Sequence, residues 1–176
     1  QNGGFLFAMC SATDSFDIAL AAQNVDIAST VYDNSPIDPA FHNKMDYTNA
    51  IAFENYNLYT NPMTYEYSTI DVPPSHRPIT KGAEADYFSL FEFSAKWDPV
   101  PTMLTQNHVA VINGFMGQTT GFSRSTLKNH VLIMGEVENE DQVKYIHGNV
   151  GKGTFTFLGG HDPEDYRHFV GDPPTD

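Results

Sequence analysis

One cysteine in 176 residues excludes an internal disulfide and any paired-cysteine metal site. Basic residues are also scarce, with nine Lys and Arg against 22 Asp and Glu, a formal net charge of −13. Such a chain has no basic face for a phosphate backbone, so nucleic acid is excluded as a partner. An anionic membrane surface is disfavoured for the same reason. No apolar run approaches the roughly 18 residues of a membrane-spanning helix, so no transmembrane segment is expected. No phosphate-binding GxGxxG or GxxxxGK motif occurs, although residues 114–121 are rich in glycine and read as a surface loop. No HExxH or repeated histidine spacing occurs either. His108, His130 and His147 are scattered. His161 and His168, with Asp162, Glu164 and Asp165, form the one local cluster. No metal and no cofactor are expected.

Apolar residues make up 40 % of the chain and aromatics 13 %, which is a globular composition. The length fits a single domain, residues 1–176, able to bury a sizeable core. The first residues carry neither a basic leader region nor a cleavage site. A strand starts within four residues of Gln1, so an N-terminal part is expected to precede this stretch.

The organising stretch is at the beginning. The run Phe5-Leu6-Phe7-Ala8-Met9 is apolar on both faces and predicts a short buried parallel strand. It ends at Cys10. A helix is predicted next, capped by Thr13 or Asp14, with Asp17 in its first turn and Phe16, Ala19, Leu20 and Gln23 on its inner face. Asn24 is the expected stop. Cys10 thus stands where a strand hands over to a helix. Unpaired N–H groups and the positive helix end favour a thiolate there, and the Ser11 amide becomes a candidate oxyanion donor. A cysteine in that position is otherwise a small core hydrophobe.

From residue 25 to 49 the pattern is weak, with turn chemistry at 33–36 and 38–39. His42 reads as a surface histidine. Residues 51–59 and 65–72, rich in Tyr, Phe and Ile, predict two antiparallel strands. Residues 73–82 read as a loop and a candidate lid. Residues 87–93 read as a strand or, alternatively, a helix, strands are expected at 102–106 and 107–112, and residues 50–125 together read as a β-rich insertion. Clearer strands lie at 131–137, 143–147 and 154–158, with a hairpin turn over 149–153. The Pro- and Asp-rich tail from 170 is expected to fray.

The last predicted strand leads through Gly159-Gly160 to His161-Asp162-Pro163-Glu164. A histidine beside Cys10 is the base that a thiol nucleophile needs, and a carboxylate on the far imidazole nitrogen fixes its tautomer. Glu164 is the candidate orienter and Asp162 the alternative. The fold is expected to bring the two ends of the chain together.

These stretches resemble the class I glutamine amidotransferase-like superfamily. The resemblance implies a flavodoxin-like α/β sandwich and a Cys–His–Glu triad, here Cys10, His161 and Glu164. The superfamily's His-Pro-Glu is matched by His161, Pro163 and Glu164 with Asp162 inserted. Its Gly-x-Cys-x-Gly corner is Ala8-Met9-Cys10-Ser11-Ala12, with alanine at both glycine positions. Over essentially its whole length the chain resembles the C-terminal part of a group of bacterial proteins labelled asparagine synthetase B. Those proteins have a preceding α/β half and often an export signal, so the resemblance implies an exported or periplasmic location, with a cytoplasmic one as the alternative. The synthetase of that name uses an N-terminal cysteine, and no ATP-binding signature is visible here, so asparagine synthesis is not implied. The implied activity is cysteine-dependent hydrolysis of an amide or related acyl substrate. The sheet would be completed by a missing N-terminal segment or a partner chain. A non-catalytic binding or assembly subunit on the same fold is the alternative. A sugar-binding or sugar-processing role has the aromatics and acids it needs but no pair of carboxylates at a defined spacing.

Overall fold

A computed structural model describes residues 2–64, 66–72, 87–90, 111–113 and 121–160. The fold is mixed α/β, built on one largely antiparallel sheet with few helices. The strands are β1 (Phe5–Met9), β2 (Tyr87–Leu90), β3 (Val111–Asn113), β4 (Phe122–Ser123), β5 (Leu132–Glu136), β6 (Gln142–Val150) and β7 (Gly153–Leu158). Their order across the sheet is β1-β7-β6-β5-β2-β3, with β4 paired to β6. Among the described residues, only β1 and β7 pair in parallel.

Regular alternation builds the β6–β7 hairpin. Val150 pairs with Gly153 across a tight turn, in which Gly151 takes a positive φ of 61°. Gly148 lies opposite Phe155, and a Cβ there would sit 2.5 Å from the Phe155 ring, so only glycine admits the ring. Phe155 and Phe157 turn to one face of the sheet. Their rings are 5.1 Å apart, and Phe53 and Phe122 continue the cluster at 6.3 and 5.1 Å. Each such ring buried adds roughly 1.5–3 kcal/mol over leaving it exposed.

Helix α1 (Ser11–Ala21) covers this face, with Ile18 and Ala21 packed in the same core as Ala8, Phe155 and Phe157. Two short helices follow, α2 (Thr30–Asp33) and α3 (Phe41–Lys44), in the region of weak pattern. His42 is exposed, as expected, and stacks on Phe41.

Four expectations need correction. The helix starts at Ser11 with Cys10 as its N-cap, not at Thr13 or Asp14, and ends at Ala21 rather than near Asn24. Its buried face is Thr13, Asp14, Asp17, Ile18 and Ala21, while Phe16 is 41 % exposed. Two buried carboxylates defeat a reading that sends charge outward. Residues 51–59 and 66–72 form no strands. They make isolated antiparallel bridges, Leu58 to Ser68, Phe53 to Leu127 and Asp71 to Phe122. Their aromatics plug the core instead: Phe53 and Tyr56 are fully buried. Finally, β1 is not enclosed. It is the end strand among the described residues, with Phe5 56 % and Phe7 46 % exposed.

The later strands agree closely with expectation, β6 being longer by three residues at its C-terminal end and one at its start. The candidate lid at 73–82, the expected strand at 102–106 and the tail lie outside the described residues. No described helix is long and apolar enough to cross a membrane.

Candidate functional site

Parallel pairing sets Met9 beside Leu158, so the C-terminal ends of β1 and β7 lie side by side. The pairing continues one residue past β1: the Cys10 amide donates to the Leu158 carbonyl at 3.1 Å. Beyond Cys10 the chain must turn sharply to enter α1. It does so at Cys10 itself, with φ 56° and ψ −140°. A β-carbon is strained in that region, at a cost of about 1–3 kcal/mol.

Two bonds from Thr13 fix the corner. Its amide and its hydroxyl both donate to the Cys10 carbonyl, at 3.2 and 2.7 Å. Thr13 is wholly buried. Cys10 itself is half-buried. Ser11 opens α1, and its N–H has no intrahelical acceptor. Ala8 and Ala12 take no positive φ, so alanine adds no backbone strain at the two positions where the superfamily has glycine.

Gly159 carries the chain off the end of β7. Its amide donates to the Lys144 carbonyl at 2.7 Å, and a Cβ on it would sit 3.1 Å from the Gly121 Cα. This close approach leaves no room for a side chain. It brings the end of the glycine-rich segment 114–121 to the same end of β7 as Cys10. His161, Asp162 and Glu164 lie outside the described residues. His161 follows Leu158 by three residues in sequence. The structure therefore brings Cys10, Ser11 and the exit of β7 together and is silent on the rest of the triad.

Below the corner, α1 buries two carboxylates, Asp14 and Asp17, that the sequence offered only as a helix cap and a first-turn charge. Asp14 accepts from the Ser15 amide at 2.9 Å. Asp17 accepts three amides from a distant segment: Ile51 on Oδ1 at 2.6 Å, and Ala52 and Phe53 on Oδ2 at 3.1 and 2.7 Å. Burial pushes the Asp17 carboxyl above its ordinary value, against the opposing pull of those amides and of Lys128. Burial, then the charges of Asp17 and Asp14 and the Tyr47 hydroxyl, push the Tyr56 phenol well above its ordinary range. Its hydroxyl has no hydrogen-bond partner among the described residues. A polar residue inside a helical pattern at i and i+3 is the only trace this clamp leaves in the sequence.

On the other face of the sheet, one row of paired residues crosses four strands: Phe7, Thr156, His147 and Leu132. His147 is buried, and its Nδ1 lies 3.0 Å from Thr156 Oγ1. Sequence reasoning counted it only among scattered histidines.

Two open cavities, of about 770 and 550 Å³, flank α1, and Cys10 lines neither. No group of three or more metal-ligating side chains occurs among the described residues.

Compared with models of protein families, with curated proteins and with solved structures, the chain matches none. The functional reading therefore stands on the residues and their geometry.

Proposed function

We propose that the chain is a glutamine amidotransferase-like domain, a flavodoxin-like sandwich completed by further chain, in which Cys10 is the nucleophile of an amide or acyl hydrolase. One observation carries this reading. Cys10 is a non-glycine residue at positive φ on a strand-to-helix corner, tied to the end of the parallel strand that leads to His161. That strained corner lifts a nucleophile out of the sheet edge and sets it at a helix N-terminus.

Chemistry follows from the residue types. His161 takes the thiol proton as Sγ attacks the carbonyl carbon. Glu164, or Asp162, orients the imidazole. The Ser11 N–H steadies the developing oxyanion. The same histidine returns the proton to the departing nitrogen, releasing ammonia or an amine and leaving a thioester. Water, deprotonated by His161, then hydrolyses the thioester and restores the thiol.

The outer edge of β1 supports the companion proposal that a further strand adds there, from a preceding segment or a partner chain. No described residue pairs with that edge, and it has no lysine, proline or bulge to discourage pairing. The β-rich insertion, residues 50–125, belongs to the same proposal.

A panel of primary amides, glutamine included, tests the activity by ammonia release from the full chain. Cys10→Ala is expected to lower the rate about a thousandfold or more, and His161→Ala about a hundredfold or more. A chloroketone analogue of the best amide is expected to add to Cys10 alone by mass spectrometry. No ammonia from any amide, with no adduct at Cys10, overturns the hydrolase and leaves the second reading. That reading, a non-catalytic assembly subunit, is favoured by the exposed Phe5 and Phe7 on a sheet edge that no described residue pairs with.

A further inference from the structure

The larger cavity lies at the opposite end of β1 from Cys10, between the Gly3-Gly4 entry to the strand, α1 and the 48–51 segment. Its volume of about 770 Å³ suits a small organic ligand. Its lining departs from the rest of the protein. The chain carries 22 acidic residues, yet among the described residues no Asp or Glu lines this cavity, whereas Lys128 and His130 do.

Lys128 is held in place. Its Nζ donates to the carbonyls of Tyr47, at 2.6 Å, and Ala50. These two bonds use two of its three protons and leave its charge without a paired anion. No carboxylate among the described residues forms an ion pair with it. Asp17 and Asp46 feel its charge from a distance, but neither lines the cavity. His130 lies beside it, with Nε2 3.1 Å from the Ile51 carbonyl. The apolar wall comes from Leu6, Phe16 and Leu20, and the Phe16 ring is exposed. A positioned cation in a cavity with an apolar wall, in a strongly acidic protein, is complementary to an anion with an apolar body.

We infer that this cavity binds a small organic carboxylate, its charged head against Lys128 and its apolar body against Phe16 and Leu20. The site is separate from Cys10 and does not depend on the hydrolase reading.

The test uses the ¹⁵N-labelled full chain titrated with phenylacetate, indole-3-acetate and decanoate, and with the uncharged amide of each. At least one acid is expected to give saturable amide shifts centred on Ile51, Gly153 and Thr154, and to bind about tenfold or more tightly than its amide. Lys128→Gln is expected to remove that preference, Phe16→Ala to weaken acid and amide alike, and Cys10→Ser to change nothing. Should Lys128→Gln fail to fold, the acid-against-amide comparison in the unaltered protein still decides. No saturable shifts from any of the three acids, shifts centred elsewhere, or equal binding of acid and amide overturns the proposal.

Discussion

The Cys10 corner and the 25–72 segment pack against the same helix, and they are held in different ways. The corner is held by backbone: strand pairing of β1 with β7, the Cys10 amide on the Leu158 carbonyl, and Thr13 folded back on the Cys10 carbonyl. The 25–72 segment has almost no ladder. Single backbone bonds tie it down at scattered points, and side chains supply key anchors between them. Asp17 takes three of its amides, Lys128 two of its carbonyls and Tyr47 the carbonyl of Tyr56. Asp26, Asp38 and Asp46 close its turns on local amides. A ladder spreads its energy over many equivalent bonds, whereas a clamp concentrates it in one residue.

The largest expected effect breaks the clamp. Asp17→Ala leaves three amides without their acceptor, two of them in wholly buried residues. A loss of about 3 kcal/mol or more is expected, since each orphaned buried donor costs roughly 1–3 kcal/mol. Urea unfolding measures it. A loss below about 1 kcal/mol shows that the segment does not lean on Asp17.

A smaller effect sharpens the corner. If Cys10 is strained by its positive φ, Cys10→Gly is expected to be more stable than Cys10→Ala by about 1 kcal/mol, the reverse of the ordinary ranking of these residues. Equal stability, or alanine ahead, means that the chain turns elsewhere.

The smallest effect is a slope. Burial raises the native Asp17 carboxyl above its ordinary 3.8. The folded protein therefore binds this proton more readily than the unfolded chain. Its contribution is fully present below 3.8 and is lost as pH rises through the raised native value. Wild type minus Asp17→Asn is expected to show stability falling with rising pH across that window. The subtraction removes Asp33, Asp38 and Asp46, which hydrogen bonds lower and which slope the other way. A difference that rises with pH contradicts the assignment.

This contrast also explains what was legible. The apolar run at Phe5–Met9 and the alternating Thr–Phe pattern of Gly153–Leu158 announce strands because their period is local, and the turn at Gly151 marks the β6–β7 hairpin. The position of Cys10 between strand and helix was readable for the same reason, although its φ was not. Segment 51–72 was misread because Phe53 and Tyr56 have the composition of a strand but serve as plugs. The face of α1 was misread because Asp14 and Asp17 point inward, where their partners are 1 and 34–36 residues away. No local pattern records the Asp17 contacts, 34–36 residues away. His161 and Glu164 are visible in the sequence alone, since the described residues end before them.

The most direct test of the central claim is the rate at which iodoacetamide alkylates Cys10 at pH 7. It is measured in the folded full chain, in its urea-unfolded form and in folded His161→Ala. The account predicts that the folded thiol reacts about tenfold or more faster than the same thiol unfolded, and that His161→Ala removes most of that excess. A folded thiol no faster than the unfolded one, or a rate indifferent to His161, contradicts it and makes Cys10 a corner residue and nothing more.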